Sequence, residues 1–343
     1  MKAFLQLPAE RRRLAFQEVD ARLGLQAVSV EKDFWVCWTL RELYSLADIG
    51  EHLTFKGGTS LSKAWKLIHR FSEDIDIIVD KNVLGFSGDD APERAPSNKQ
   101  RRVRLEALMT ACRSWVQGKL EPALAARIHA CMSDDVARLE VDPDMADGQC
   151  LLFHYPSVFS PETAGYVRPV VKIELGARSD DWPHENKIIQ PFVLEQFPVL
   201  DADANVTVRV LAAERTFWEK ACLLHEETFR PADKPRKLRM ARHYYDVWCM
   251  LRAGVGDRAI GHMDLFRRVA EHREIFFKYA WVDYATHKPG SFRIVPPPDQ
   301  LSDWRADYRA MQGPMFYSDA PDFDEIMDSV GAFEKKFNAL ART

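Results

Sequence analysis

The sequence predicts an α+β protein with its strands in the N-terminal part and a helical C-terminal lobe. Short runs rich in apolar and β-branched residues recur at 53–55, 75–79, 150–154, 167–175 and 206–210. From Ala212 onward, apolar residues recur mostly at helical spacing. We therefore expect a core domain over 1–211 and a helical lobe over 212–343.

Helices are expected before, between and after the first strands. Apolar spacing predicts helices over about 8–24 and 29–46, the first starting after Pro8 and ending at Gly24. A third helix is expected over 60–69, with Thr59 as its N-cap. Residues 81–148 look like an insertion, with a polar loop over 81–100 and helical patterning over about 99–140.

Composition and charge argue against a protein that binds polyanions over its whole surface, a secreted protein and a membrane-spanning protein. The chain has 343 residues, 46% of them hydrophobic, and a formal net charge of −4, so any nucleic-acid contact needs a local basic patch. The six cysteines form no CxxC pair or zinc-like spacing, which favours reduced thiols and a cytoplasmic location. We expect no signal peptide and no membrane span, since neither an apolar leader nor a long apolar run is present.

The segment Phe55-Lys56-Gly57-Gly58-Thr59-Ser60 joins a strand to a helix through two glycines. Glycines let a backbone approach a ligand closely, and a helix start offers free N–H groups to a phosphate. Gly57, Gly58, Thr59 and Ser60 are therefore candidates for binding a triphosphate, with two hydroxyls as extra donors. The same pattern also occurs as a plain tight turn.

Asp74 and Asp76 lie two residues apart at the start of the next predicted strand. Side chains two apart leave a strand on the same face, whereas Ile75 and Ile77 point into the core. Two close carboxylates repel each other unless a cation lies between them, and Mg²⁺ prefers such oxygen ligands. The pair is thus a candidate site for one or two metal ions, with solvated charges on an edge strand as the alternative.

A third carboxylate comes from the predicted strand at 167–175. Val171, Ile173 and Leu175 form its apolar face, and Lys172 and Glu174 share the other face. Glu174 is a candidate metal ligand or base. The alternative is an exposed strand face that carries an internal Lys/Glu pair.

Lys220 lies among apolar residues on a helix expected from Glu214 to about Thr228, where it can contact a triphosphate or extend to the surface as an ordinary lysine. The densest basic run follows over 230–242, and it suits either phosphate contacts or a solvated loop. Arg242 and Asp246 are four residues apart on a helix, which is the spacing of an exposed ion pair.

Together these ordered motifs resemble the AbiEii/AbiGii toxins, which are nucleotidyltransferases of the polymerase-β-type superfamily. The resemblance rests on Gly57–Leu61 with Arg70–Asp76, on Val30–Val36, on Glu214–Ala221 and on Arg242–Asp246. It covers roughly residues 29–250, and the region of Asp307 and Met315-Phe316 is also similar.

The resemblance implies a polymerase-β-type core with a mixed sheet, Mg²⁺ or Mn²⁺ as cofactor, and an NTP as substrate. It implies NMP transfer to an acceptor such as a tRNA 3′ end, which blocks translation in a toxin–antitoxin or phage-defence system with a cognate antitoxin. Asp74 and Asp76 would hold metal, Lys220 would contact the triphosphate, and Asp246 would complete the pocket. Ser72, which matches a motif serine, and Arg242 of the final motif would also contact the NTP. A small-molecule or protein acceptor, or a non-catalytic nucleotide-binding module, are the alternatives.

Overall fold

The computed structural model describes residues 1–132, 136–160, 168–312, 315–316 and 320–342. The chain divides into two compact units. The first comprises Met1–Ala64 and Phe71–Leu211, and the second comprises Trp65–Arg70 and Ala212–Thr343. Residues 65–70, which were expected in the core domain, thus belong to the second unit.

The first unit is built on a mixed sheet. Seven strands pair among the described residues: β1 (Leu53–Lys56), β2 (Ile75–Val79), β3 (Arg138–Val141), β4 (Cys150–His154), β5 (Val170–Gly176), β6 (His184–Ile189) and β7 (Val206–Leu211). Their order is β3-β4-β5-β2-β1-β7-β6. The β2–β5 and β1–β7 pairs are parallel, and the other neighbouring pairs are antiparallel. The prediction of an α+β fold is confirmed, while Val167, where the fourth predicted strand began, lies outside the described residues.

Helices α1 (Lys2–Leu5), α2 (Ala9–Leu23) and α3 (Ala27–Tyr44) precede the sheet. Helix α2 ends at Gly24, whose φ of +66° suits a left-handed helix cap. Helix α3 is buried along most of its length, because it packs two tryptophans against the end of β4. Trp38 stacks on Phe153 at 5.5 Å, and Trp35 stacks on Tyr155 at 5.4 Å between ring centroids.

The third predicted helix has different bounds in the structure. Helix α4 spans Gly57–Lys63, so it begins three residues before the expected Ser60 and ends well before His69. Its N-cap is Lys56, and the prediction of Thr59 as N-cap was wrong. The predicted helix stops early because Lys66 has a φ of +53° and residues 65–70 pack in the second unit.

The insertion is helical over most of its predicted extent. Helix α5 (Asn98–Trp115) continues through a π-helical turn (Val116–Leu120) into α6 (Glu121–Cys131). The expectation of helix up to residue 140 was wrong, because Arg138–Val141 forms β3 and pairs with β4. After β6 lies the short helix α7 (Phe192–Gln196).

The second unit contains these helices: α8 (Ala213–Glu227), α9 (Arg242–Arg252), α10 (Val255–Ile260), α11 (Met263–Phe276), α12 (Leu301–Met311) and α13 (Phe323–Ala339). Aromatic rings fill its core, with Trp218 of α8 4.7 Å from Phe266 and 5.3 Å from Phe337 between centroids. In neither unit does a described helix have the length and apolar character needed to cross a membrane.

Candidate active site

Gly57 places the start of α4 directly against Asp76. Its φ is +78°, a conformation that side chains with a Cβ rarely adopt. A Cβ on Gly57 would lie 1.9 Å from Oδ2 of Asp76, far inside any tolerated contact. Glycine is therefore required at this position for two reasons: other residues rarely adopt its backbone angle, and a side chain would collide with the Asp76 carboxylate.

Asp76 and Glu174 stand side by side on the central strands of the sheet. They are register partners on the parallel pair β2–β5, so their side chains leave the same face of neighbouring strands. Both residues are partly exposed, while their strand neighbours Ile75 and Ile173 are buried. The expected alternation is confirmed, and the sheet brings these two carboxylates together.

Asp74 lies one residue before β2 and joins the same acidic group. Withdrawal of its carboxyl from water raises the pKa of Asp74, and the negative charges of Glu73 and Glu174 raise it further. Lys172 and Lys32 offset this effect in part. Burial and the neighbouring negative charges thus both disfavour the charged form of Asp74.

Lys172 places a positive charge directly against this acidic group. Its Nζ lies 3.0 Å from Oε1 of Glu174 and 3.9 Å from Oδ2 of Asp142. The internal Lys/Glu pair that was expected as an alternative is thus present. It lies on the face that also carries Asp76, so the presence of the Lys172–Glu174 pair does not exclude a carboxylate site on this face.

Thr59 and Ser60 are buried, and their hydroxyls serve the protein itself. The Thr59 hydroxyl donates to the backbone oxygen of Asp74 at 2.6 Å, and the Ser60 hydroxyl donates to that of Gly57 at 2.9 Å. The Ser72 hydroxyl lies 2.9 Å from Oγ1 of Thr59, whose only hydrogen is already donated, so Ser72 is the donor there. The Thr59 hydroxyl thus fixes the backbone at Asp74 and the Ser60 hydroxyl that at Gly57, so the expectation of Thr59 and Ser60 as spare donors is not what the structure shows.

Two adjacent residues of α3, Lys32 and Asp33, form ion pairs on either side of the segment that joins α4 to β2. Lys32, only 4% exposed, forms an ion pair with Glu73, the residue before Asp74. Asp33 lies 2.8 Å from Nζ of Lys63, the last residue of α4. Buried ion pairs are costly to break on one side, so this arrangement restricts how the end of α4 and the residues just before β2 can move.

In the second unit, Asp246 is fully buried and binds two cations. Nε and one terminal nitrogen of Arg70 donate to its two oxygens at 2.7 and 2.8 Å, and Nζ of Lys220 lies 2.9 Å from Oδ2. Burial opposes the charged form, but Arg70 and Lys220 outweigh it and lower the pKa of Asp246. The alternative of an exposed Arg242–Asp246 pair was wrong, since Asp246 is fully buried and its two oxygens bind Arg70 and Lys220.

Lys220 is buried as well, which rules out an ordinary surface lysine. Burial lowers its pKa, the charge of Arg70 lowers it further, and Asp246 only partly compensates. The ring of His243 lies 3.3 Å from Nζ of Lys220, and burial beside these cations lowers the pKa of His243 well below its usual value. A neutral His243 therefore accepts a hydrogen bond from Lys220.

The basic run over 230–242 is partly neutralised by its own unit. Arg230 donates to Glu227 at 2.6 Å through two nitrogens, and Arg236 lies 3.3 Å from the same carboxylate. Nζ of Lys234 lies 4.4 Å from the ring centroid of Trp281. A structural role accounts for these three cations, which leaves less of the run for a polyanion.

A divalent metal fits the donor set of the first unit chemically. Carboxylate oxygens are the ligands that Mg²⁺ and Mn²⁺ prefer, and Glu73 and Glu174 add negative charge close to Asp74. Within the described residues, no group of three or more histidine, cysteine, aspartate or glutamate side chains is placed so that it could hold a metal ion by itself. An open donor set suits a metal whose remaining ligands come from substrate phosphates.

The structure thus gathers Asp74, Asp76 and Glu174 in the first unit, and Lys220 and Asp246 in the second. Sequence reasoning missed Arg70, Lys32 and His243, although each lies within one of the motifs that carry the resemblance. The available signal was a charged or polar residue inside a segment that otherwise resembles core, which favours a buried, paired group.

Comparisons with known proteins agree with these motifs. The model of the AbiEii family, described as nucleotidyl transferase AbiEii toxin of the type IV toxin–antitoxin systems, matches residues 38–329. Among solved structures, the chain is similar to MenT4, a nucleotidyltransferase toxin from Mycobacterium tuberculosis H37Rv. That similarity has 19% identity and a TM-score of 0.43 over 96% of this chain and 98% of the other. No curated protein matches the chain. Because the family model matches most of its length, the chain belongs to the AbiEii nucleotidyltransferase toxins of type IV toxin–antitoxin systems.

Proposed function

We propose that the protein transfers an NMP group from an NTP to the 3′ end of a tRNA, with Mg²⁺ or Mn²⁺ as cofactor, and so blocks translation. The observation that carries this proposal is the row of three carboxylates, Asp74, Asp76 and Glu174, beside the Gly57 turn. A row of carboxylates next to a turn without side chains suits a metal-bound triphosphate.

In the proposed reaction, a hydroxyl oxygen of the acceptor attacks the α-phosphorus of the NTP. The new oxygen–phosphorus bond forms as the bond to the β-phosphate oxygen breaks, and pyrophosphate leaves with the bonding electrons. The hydroxyl proton passes to water or to Glu174, which is half-exposed. A bound metal supplies charge neutralisation at the phosphates and lowers the pKa of the hydroxyl.

Contacts with the start of α4 and with Thr59 position two of the carboxylates, Asp76 and Asp74. Because Gly57 has no side chain, the Asp76 carboxylate can lie directly against the start of α4. Asp74 is held through its backbone oxygen by Thr59. Preorganised ligands of this kind lower the cost of assembling the transition state.

The other predicted roles remain parts of the proposal. The turn at Gly57 and Gly58 would take the triphosphate through backbone N–H groups, since the hydroxyls of Thr59 and Ser60 are engaged. The resemblance assigns Lys220 to the triphosphate and Arg242 to the nucleotide. Asp246 would act by orienting Lys220, because its oxygens already bind Arg70 and Lys220.

The cellular setting is proposed from the family. A toxin of a type IV system implies an antitoxin made alongside it, an action in the cytoplasm, and a part in phage defence. A small molecule or a protein side chain are the competing acceptors, whereas the family membership disfavours a non-catalytic nucleotide-binding module.

The proposal is tested by supplying the protein with α-labelled NTPs and separate pools of tRNA, other RNA, lysate protein and metabolites. We expect label on tRNA that depends on added Mg²⁺ or Mn²⁺ and is removed by a chelator. Label found in the protein or metabolite pool alone would refute the tRNA acceptor. Absence of label in every pool, with each of the four NTPs, would refute the transfer activity.

A further inference from the structure

A cavity of about 380 Å³ opens beside Asp74 in the first unit. It lies over the β3–β4–β5 part of the sheet, and its lining includes Asp142, Asp144, Leu152, His154 and Lys172. Gly57 and Asp76 are not part of the lining. Asp74 therefore borders two places, the glycine turn proposed for the triphosphate and this cavity.

The charge of the cavity favours a neutral ligand over a polyanion that binds without a metal ion. Four carboxylates and three lysine or arginine side chains line it, so negative groups are in excess. Two of the cations are already paired, Lys32 with Glu73 and Lys172 with Glu174. A ligand that carries several negative charges and no metal ion would meet a net repulsion here, whereas a neutral polyol would not.

The shape of the lining suits a sugar. Leu152 and Val170 provide an apolar floor on the same face of β4 and β5, where Leu152 is the register partner of Lys172 and Val170 that of His154. Carboxylates accept hydrogen bonds from hydroxyl groups, and the C–H face of a sugar packs on apolar side chains. The volume is at the small end of the range for small-molecule sites, which limits the occupant to about one nucleoside.

We infer that this cavity receives the terminal sugar of the acceptor and presents its hydroxyl to the reaction centre at Asp74. The inference rests on the proposed nucleotidyl transfer and adds to it a subsite for the second substrate. Asp144 and His154 act as specificity-determining residues, and Leu152 is the floor on which the sugar packs. The expected ligand of the cavity is a single sugar with free hydroxyl groups, which could belong to an RNA 3′ terminus or to a free nucleoside.

The test compares variants of the cavity with matched variants elsewhere in the first unit. Leu152→Trp fills the cavity, and Val199→Trp places the same ring at a residue that is 91% exposed. Asp144→Asn removes a rim charge, and Asp89→Asn removes an exposed charge outside the lining. The variants are assayed with tRNA as acceptor, and NTP binding is measured separately by calorimetry.

We expect Leu152→Trp to lower kcat/KM for the acceptor by at least about tenfold, with NTP affinity within about twofold of wild type. We expect Asp144→Asn to raise KM for the acceptor with a smaller effect on kcat, and both controls to behave as wild type. Unchanged acceptor kinetics in Leu152→Trp and Asp144→Asn would overturn the inference, as would a loss of NTP affinity in place of acceptor affinity. If wild type transfers to nothing, the proposed function fails instead.

Two competitors distinguish the sources of the sugar. Adenosine and a tRNA whose terminal ribose lacks its 3′ hydroxyl are each added to the wild-type reaction. Competition by both, weakened in Leu152→Trp, supports a subsite that binds a single sugar, and competition by the RNA alone supports one that needs the RNA terminus. Competition by adenosine or RNA that is equally strong in Leu152→Trp would contradict the assignment of the cavity.

Discussion

Replacing Gly57 with alanine tests the close approach on which the site depends. The new Cβ would lie 1.9 Å from Oδ2 of Asp76, and Cβ atoms essentially never approach other heavy atoms within 3.0 Å. The carboxylate, or the start of α4, must therefore move by about 1 Å. A displacement of about 1 Å at a reacting centre costs about 100-fold in rate, so we expect kcat to fall by about that factor.

The same substitution also strains the backbone, and a second variant separates the two effects. Alanine at a positive φ costs about 1–2 kcal/mol in free energy of unfolding. Gly85 has a φ of +86°, and a Cβ placed on it would have no heavy atom within 4 Å, so Gly85→Ala carries the strain without the clash. Transfer of α-labelled NMP is measured for both variants beside urea unfolding. Equal activity of Gly57→Ala and Gly85→Ala would refute the reasoning.

Three further predictions concern buried charge. Asp246→Asn leaves two cations without their partner, and we expect the free energy of unfolding to fall by about 3–5 kcal/mol in denaturant titrations. Lys32→Met removes the cation next to Glu73, and we expect kcat to fall about tenfold because Asp74 loses its fixed position, with KM for the NTP within about twofold. Burial lowers the pKa of His225 to about 3 and that of His243 well below its usual value, so both stay neutral in the folded protein while they take up protons in the unfolded chain. Stability should therefore fall below about pH 6.5, by about 1.4 kcal/mol per pH unit for each histidine.

Exposed pairs serve as controls for these predictions. Asp257 pairs with Lys336 on the surface, and we expect Asp257→Asn to cost less than about 1 kcal/mol. Arg22→Met breaks an exposed pair with Glu18 and should leave transfer unchanged. A stability loss for Asp246→Asn no larger than that control, wild-type kcat in Lys32→Met, or equal stability at pH 7 and pH 5.5 would each contradict the corresponding prediction.

Local patterns predicted those parts of the fold whose side chains alternate or repeat clearly. Strand β2 was expected at 75–79 and is found there, because its β-branched run has one buried face. Strand β6 was missed, since His184–Ile189 is mostly polar and lies at the edge of the sheet, where little burial marks it. Residues 65–69 have helical propensity, but they join the second unit and do not continue α4.

Short-range spacing in the sequence was enough to propose part of the candidate site. Asp74 and Asp76 follow from the spacing of two, and Glu174 from the alternation of β5, whose pairing with β2 only the structure reveals. The partners of Asp246 could not be inferred, because Arg70 is 176 residues away in sequence. The burial of the Thr59 and Ser60 hydroxyls is likewise a tertiary feature, which the strand–glycine–helix pattern does not contain.

Asp74 and Asp76 are proposed to carry metal-dependent nucleotidyl transfer. The most direct measurement supplies wild type, Asp74→Asn, Asp76→Asn and the exposed control Asp89→Asn with α-labelled NTP, Mg²⁺ and tRNA, after thermal melts have shown that each variant is folded. We predict that both site variants lose at least about 100-fold in labelling and that the control keeps wild-type labelling. Undiminished labelling by folded Asp74→Asn and Asp76→Asn would contradict the account.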